Sequence, residues 1–261
     1  MVKATALAPR QRAPRQALRA RLLVAADSRF SATRRAMGIA ADQHDFGRSM
    51  LVCCMNHEKP HQHTAWEWFD HGQTLALLPM NDDPASGAPR ASVVLTLPTP
   101  AIEPLLTLEP PAFGREMTRR FAGRLGPMSL ASTRHAYPLV AVYPQRLVGP
   151  RFACVGDAAL GMHPVTAHGF NLGLLGVERL AARVRAAQTA GRDIAAPQDL
   201  AAYEREQRQA SRPIYLATQL IARLYTQESP PARLLRGLAL RLGQHCPPFK
   251  RAVAAALTGA H

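Results

Sequence analysis

Residues 151–183 read RFACVGDAALGMHPVTAHGFNLGLLGVERLAAR, and this stretch is the most informative part of the sequence about the fold. After its first residue come four apolar residues, which is the length and composition of a buried strand. A glycine and Asp157 follow at once, and a loop containing glycine and proline comes next. From Phe170 the apolar residues recur every three or four positions, as they do along one face of a helix. The stretch therefore predicts a strand, a turn that carries a carboxylate, and a helix.

This arrangement has the parts of a ligand site. The carboxylate of Asp157 can accept hydrogen bonds from sugar-like hydroxyls. The glycines allow the backbone to approach a flat ligand closely. The start of the helix offers free N–H groups and a partial positive charge to an anion. An ordinary strand-to-helix turn with a solvated aspartate is the alternative that a bare Gly-Asp pair would favour.

The order of residues resembles the GD motif of the flavin-dependent aromatic hydroxylases, and most closely that of their ubiquinone-biosynthesis branch. The family pattern runs Gly-Asp-Ala-Ala-His, then His-Pro, Gly-Gln-Gly and Asn-x-Gly-x-x-Asp, and it ends in Leu-Ala. The chain departs from it with Leu160 in place of His, Ala167-His168 in place of Gly-Gln, and Gly176 in place of Asp. The matching residues are Gly156, Asp157, Ala158, Ala159, His163, Pro164, Gly169, Asn171, Gly173, Leu180 and Ala181.

The resemblance implies a site for FAD. In the family the aspartate binds the ribityl chain, which gives that role to Asp157 with Gly156 before it. The backbone between the loop and the helix faces the pyrimidine end of the flavin. That end is therefore expected to lie against Pro164, Gly169, Phe170 and Asn171.

A second segment supports the same family. Residues 22–27 predict another buried strand that ends in a carboxylate. Asp27, Ser31 and Arg34 resemble the family fingerprint Asp-Gly-x-x-Ser-x-x-Arg, which lies near the FAD pyrophosphate and the NAD(P)H path, so Asp27 and Arg34 are implied cofactor residues. Ser28 stands where glycine is usual, and a turn with positive φ would strain it. A strand followed by a basic helix is the alternative.

The N-terminal segment departs from the family. A Gly-x-Gly-x-x-Gly loop that carries the FAD pyrophosphate precedes this fingerprint in the family, whereas the 26 residues before Asp27 contain no glycine. Residues 1–21 hold six Lys or Arg and no acid. We expect a basic disordered arm, a transit-like segment or a non-native start on a shortened reading frame, and the last is favoured.

The expected fold class is α/β, with an α+β substrate sheet inserted in an incomplete FAD-binding Rossmann-like domain and a C-terminal helical segment. Residues 22–45 and 144–198 form the FAD-binding part, residues 46–143 the substrate sheet, and residues 199–261 the C-terminal helices. Strands are predicted at residues 50–55, 64–70, 74–80, 91–97 and 137–142, and helices at residues 113–125 and 198–227.

The chain is strongly basic, with a net charge of +14 that comes almost entirely from arginines spread along it. Spread arginine favours solvated faces or an anionic membrane surface over a nucleic-acid groove. No apolar run is long enough to predict a transmembrane helix. Basic amphipathic helices at residues 232–242 and 247–257 suit a membrane surface, with a solvated helix face as the alternative. The expected location is cytoplasmic, or peripheral at the inner face of the membrane.

Cysteine, histidine and tryptophan give weaker signals. The four cysteines form no C-x-x-C pair and are expected to be reduced thiols. His57, His61 and His63 match no closed zinc pattern, so no metal is predicted. Trp66 and Trp68 point to one face of a strand, where an aromatic pocket and ordinary sheet packing are both open interpretations.

The resemblance implies that NAD(P)H reduces FAD and that the enzyme then uses O₂ to hydroxylate an aromatic ring of a quinone precursor in ubiquinone biosynthesis. No catalytic base can be named from the sequence. The implied partners are that small molecule and a ubiquinone-biosynthesis complex, with no nucleic acid. Two other interpretations stay open, a non-catalytic remnant and an accessory component that binds lipid or protein.

Overall fold

A computed structural model describes residues 19–70, 72–164 and 168–226. Most of the basic N-terminal segment, the turn predicted at His71, Cys246 and the predicted helices at residues 232–242 and 247–257 lie outside the described residues. In chain order the elements are β1 (Leu23–Ala25), α1 (Ala32–Ala36), β2 (Ala41–His57), β3 (Trp66–Asp70), β4 (Gln73–Pro79), β5 (Arg90–Pro98), α2 (Glu103–Thr107), α3 (Pro110–Arg120), β6 (Met128–Leu130), β7 (His135–Pro144), β8 (Val148–Gly149), β9 (Phe152–Cys154), α4 (Gly169–Thr189) and α5 (Pro197–Thr226).

The smaller of the two sheets has the order β1-β9-β8. β1 runs parallel to β9, with Leu23 opposite Phe152, and β9 is fully buried. The predicted strand at residues 152–155 is thus confirmed. The prediction that β1 is buried is wrong, because Leu23 and Val24 are 45% and 42% exposed. Among the described residues β1 pairs with β9 alone, so it forms an edge of this sheet.

The larger sheet is antiparallel, with the order β3-β4-β5-β2-β6 and with β7 also paired to β2. Leu51, Cys53 and Met55 of β2 are buried because alternate side chains face the core, where Phe113 and Met117 of α3 also lie. The predicted strands of this sheet are confirmed, although β2 is longer than predicted and begins at Ala41.

A bulge interrupts β2 where it passes toward the smaller sheet. Its register against β7 shifts between Asp45 and Ser49, and Gly47 in this interval has a φ of +66°. Such a bulge bends a strand and redirects its side chains. β2 and β7 run through the expected domain boundaries at residues 45/46 and 143/144, so the two expected domains share continuous strands. The division itself stays a prediction.

α3 differs from its predicted bounds, and α4, which is a helix as predicted, exposes its apolar stripe. α3 covers Pro110–Arg120 instead of residues 113–125, because proline is favoured in the first turn and the chain turns left-handed after Phe121. In α4 the apolar stripe of Phe170, Leu174 and Val177 is exposed, not buried. The face that packs inward is instead built from small and leucine residues, which are Leu172, Gly173, Gly176 and Leu180.

α4 and α5 pack together beneath the smaller sheet. Tyr203 of α5 is fully buried, and its hydroxyl donates to the Cys154 carbonyl over 2.6 Å. Pro213 lies inside α5. Within the part of the chain that the structure describes, no helix is both long enough and apolar enough to cross a bilayer.

The backbone at Ser28 provides a test of stored strain. Ser28 has a φ of +76°, where glycine is usual in the family. Replacing Ser28 with glycine relieves ~1–2 kcal/mol of strain in the folded state. The greater backbone freedom of glycine stabilises the unfolded state by ~0.5–1 kcal/mol, which offsets part of this gain. Ser28→Gly should therefore raise the free energy of unfolding in urea by about 0.5–1 kcal/mol. Ser28→Ala should give no gain, and equal effects of the two substitutions would contradict the strain.

Candidate functional site

The turn after β9 brings a carboxylate and a helix start together. Gly156 has a φ of +57°, a conformation that favours glycine. A Cβ atom at Gly173 of α4 would lie 3.1 Å from the Gly156 Cα atom, so the glycine lets the helix rest directly on the turn. Asp157 and the first turn of α4 therefore share one end of the smaller sheet.

Asp157 is half exposed and ion-paired. Its carboxylate lies 3.1 Å from the Arg29 guanidinium, and its side chain is 44% exposed. Arg29 also donates to the Val140 carbonyl of β7 over 3.0 Å. A carboxylate has about four acceptor positions, so this pairing leaves capacity for hydroxyl donors from a ligand.

Arg29 is a site residue that the sequence analysis did not identify. It packs on Gly161, where a Cβ atom would come within 2.6 Å of the Arg29 Cβ atom. Gly161 is in turn bridged to Val142 of β7 through two backbone hydrogen bonds of 2.7 and 2.9 Å. Arg29 and Asp157 are 128 positions apart, so no local spacing could have revealed their pairing.

Arg34, a predicted cofactor residue, is buried in the protein. Arg34 is only 1% exposed. Its guanidinium donates hydrogen bonds to the Arg29 carbonyl over 3.1 Å and to the Ala158 carbonyl over 3.0 Å. Burial lowers the pKa of this guanidinium. Arg34 thus ties α1 to the turn that carries Asp157, and its contact with a cofactor stays a prediction.

Asp27, the other predicted residue of this fingerprint, holds the start of α1. Its carboxylate accepts hydrogen bonds from the Ser31 hydroxyl and from the backbone N–H and hydroxyl of Thr33. These hydrogen bonds, that of Ser31 first, hold the pKa of Asp27 well below its usual range. Ser31 in turn caps the helix by accepting from the Arg34 N–H over 2.9 Å. A cofactor contact of Asp27 likewise stays a prediction.

The residues predicted for the pyrimidine end of a flavin lie at the start of α4. The N–H of Leu172 donates to the carbonyl of His168, the residue before the helix. The helix begins only three residues before Leu172, so the backbone N–H groups of those three residues have no acceptor carbonyl within the helix. Those residues are Gly169, Phe170 and Asn171, of which the last two are exposed, as is Pro164 at the other side of the loop.

His163 of the motif meets the bulged part of β2. Its ring lies 4.7 Å from that of Phe46, measured between centroids, in an edge-to-face contact. Burial, and then the positive charge of Arg48, lower the pKa of His163 to about 4. Phe46 and Arg48 were not identified from the sequence as neighbours of His163. Gly47, which lies between them, was the local sequence signal for the bulge that brings them near His163.

One departure from the family pattern has a structural explanation. A Cβ atom at Gly176 would come within 3.1 Å of the Gln207 side chain. Gln207 of α5 is buried, donates to the Leu172 carbonyl over 2.8 Å and accepts from Arg179 over 3.0 Å. A buried amide from α5 thus fills the space beside the position where aspartate is usual.

The histidines of the larger sheet do not gather as metal ligands do. The His57 and His61 ring centroids lie 5.7 Å apart, and the His57 Nδ1 atom donates to the Lys59 carbonyl over 2.8 Å. Within residues 19–70, 72–164 and 168–226, no group of three His, Cys, Asp or Glu side chains is arranged to hold a metal ion.

The pKa of His163 can be measured by NMR titration of its ring protons. We expect about 4 in the folded chain against an ordinary 6.5. The unfolded chain binds this proton at a higher pH than the folded chain does. The free energy of unfolding should therefore fall as the pH drops from 6.5 toward 4, and His163→Gln should remove that part of its pH dependence. Arg48→Gln should raise the His163 pKa, and an ordinary pKa in the unaltered chain would contradict this geometry.

Comparison with known proteins agrees with this architecture. The family model described as FAD binding domain matches residues 2–216. Ubiquinone hydroxylase UbiM of Neisseria meningitidis is 45% identical over 242 residues, which are 93% of this chain and 51% of that protein. Ubiquinone hydroxylase UbiL of Rhodospirillum rubrum is 36% identical over 236 residues, which are 90% of this chain and 54% of that protein. The chain thus spans about half the length of the curated relatives it matches.

Solved structures show the same fold. The OxyS anhydrotetracycline hydroxylase from Streptomyces rimosus superposes with a TM-score of 0.66 at 21% identity, covering 91% of this chain and 46% of that one. Klebsiella pneumoniae HpxO, complexed with FAD and uric acid, gives a TM-score of 0.62 at 21% identity, covering 91% of this chain and 59% of that one. The expected α/β fold is therefore confirmed. Because the family model covers well over half of the sequence, the chain belongs to the FAD-binding domain family, among relatives of the ubiquinone hydroxylases.

Proposed function

We propose that this chain holds the flavin end of FAD in a monooxygenase that hydroxylates an aromatic ring of a ubiquinone precursor. The observation that carries the proposal is the shared position of the Asp157 carboxylate and the start of α4, at the end of β9. The names of the relatives, which are ubiquinone hydroxylases, support the substrate class.

The residues present fit the flavin half of the cofactor. Asp157 has acceptor capacity for ribityl hydroxyls beyond its pairing with Arg29. The N–H groups at residues 169–171, which have no acceptor within the helix, would donate to the oxygens of the flavin's pyrimidine ring, and the helix N-terminus would stabilise negative charge there. FAD would supply the redox and oxygen chemistry, whereas the chain supplies binding, orientation and electrostatics. No general base is assigned.

The larger sheet offers a surface for the aromatic substrate. Its face opposite α3 carries half-buried Val52 and Val94 side by side, with Met50 opposite Tyr137, which is 51% exposed. We propose that this open face, defined here by Met50, Val52, Val94 and Tyr137, packs against the ring of the quinone precursor. Apolar and aromatic side chains with few polar groups are typical of small-molecule sites.

A reductant, a membrane surface and partner proteins complete the proposed function. NAD(P)H is proposed as the reductant because flavin hydroxylases of this type use it. A cytoplasmic location is proposed, and the net charge of +14 supports peripheral contact with the anionic inner face of the membrane. Association with other ubiquinone-biosynthesis proteins is proposed from the names of the relatives.

FAD binding tests the proposal directly. After FAD is added and the excess removed, the purified chain should retain a visible flavin spectrum with bands shifted from those of free FAD. Asp157→Ala should weaken the affinity for FAD by roughly 10- to 100-fold, the equivalent of charge-assisted hydrogen bonds worth ~1.5–3 kcal/mol.

Asp193→Ala is the matched control, because Asp193 forms a similar half-exposed ion pair with Arg151 over 2.7 Å. The affinity of the Asp193→Ala variant for FAD should equal that of the unaltered chain. A colourless protein that is folded by circular dichroism would contradict FAD binding and favour the accessory or non-catalytic alternative. Equal losses in the two variants would remove the assignment to Asp157.

A further inference from the structure

A cluster of aromatic and arginine side chains lies at the free edge of the larger sheet. Trp66 and Trp68 of β3 project to the side covered by α3, and their ring centroids are 6.0 Å apart. The Phe121 ring meets that of Trp68 edge-to-face at 5.6 Å. Both tryptophans are only partly buried, so part of each indole ring remains exposed to solvent.

Arg124 lies over both indole rings. Its guanidinium carbon is 5.5 Å from the Trp66 centroid and 4.9 Å from the Trp68 centroid. Ala122 and Gly123, with φ of +51° and +61°, turn the chain back after α3 and bring Arg124 to this position. Arg124 is exposed, and the contacts that the structure gives its guanidinium within the described residues are these two rings. Its five N–H donors are therefore available to an anion.

A cavity of about 300 Å³ opens beside these side chains. Its lining is polar and apolar in about equal measure, with aromatic rings beside two arginines. The lining includes Trp68, Phe69, Leu75, Arg120, Phe121 and Arg124. An occupant with both an apolar part and an anionic group would match this lining, whereas inorganic phosphate has only the second.

The charges around the cavity are mainly positive. Arg115 and Arg119 are exposed on α3, one turn apart, and they add to Arg120 and Arg124. Glu116 is the acid on this part of α3, and it pairs with Arg119 over 2.7 Å and with Arg120 over 2.8 Å. Arg120 and Arg124 belong to the lining of the cavity itself, which gives this aromatic cavity a basic edge.

We propose that this cluster, made of Trp66, Trp68, Arg120, Phe121 and Arg124, docks the chain on an anionic phospholipid surface. Tryptophan is enriched at membrane interfaces because its ring has an apolar body and a polar N–H. Arginine matches the geometry of phosphate, and each basic residue near an anionic leaflet contributes ~1 kcal/mol. The inference rests on the proposed peripheral membrane contact and is independent of the flavin site.

Intrinsic fluorescence can test this surface, because the chain has two tryptophans and both belong to the cluster. The full chain is titrated with phosphatidylcholine vesicles, with and without phosphatidylglycerol. The proposal expects a blue shift of the emission and co-sedimentation with the vesicles that contain phosphatidylglycerol. Absence of the shift with those vesicles, or the same shift with inorganic phosphate alone, would overturn it.

Two substitutions separate a local site from general charge attraction. Arg124→Gln should weaken vesicle binding about fivefold, the equivalent of one basic residue at the surface. Arg185→Gln removes the same charge from an exposed position on α4 and should leave the affinity nearly unchanged. Equal losses in both variants would overturn the proposal. FAD affinity is measured on the same proteins and should not differ in either variant, which keeps the two proposals separable.

Discussion

The buried guanidinium of Arg34 is the contact on which the candidate site depends. It donates to the carbonyls of Arg29 and Ala158 and thereby joins two segments that are more than a hundred residues apart in the sequence. An unpaired buried charge is costly, so these carbonyls must stay where the guanidinium can reach them. Arg29, held by the same contact, then reaches Asp157 and Val140. The position of the Asp157 carboxylate is therefore a consequence of packing around two arginines.

Close glycine contacts supply the other constraint. Each of three glycines leaves space that another group occupies: the Gly156 backbone beside Gly173, the Arg29 side chain beside Gly161, and the Gln207 side chain beside Gly176. A methyl group at any of these positions would meet an atom within 3.1 Å. The helix start can approach the end of β9 because these side chains are absent.

Local patterns in the sequence predicted the parts of this structure that depend on local chemistry. The run at residues 151–183 predicted β9, the turn and α4, and alternation predicted the strands of the larger sheet. Long-range contacts were not predictable. The Arg29–Asp157 pair joins distant segments, and the bulge at Gly47 is set by pairing with β7. The spacing of apolar residues in α4 predicted a helix, but periodicity cannot show which face of a helix is covered, and the stripe of Phe170, Leu174 and Val177 is exposed.

Amide hydrogen exchange with and without FAD reports where the cofactor contacts the backbone. If the turn after β9 and the start of α4 together hold the flavin, FAD should slow exchange at residues 156–160 and 169–172, with little change along β3 and β4. Protection confined to other segments, or no protection at saturating FAD, would show that the flavin is not held at this turn.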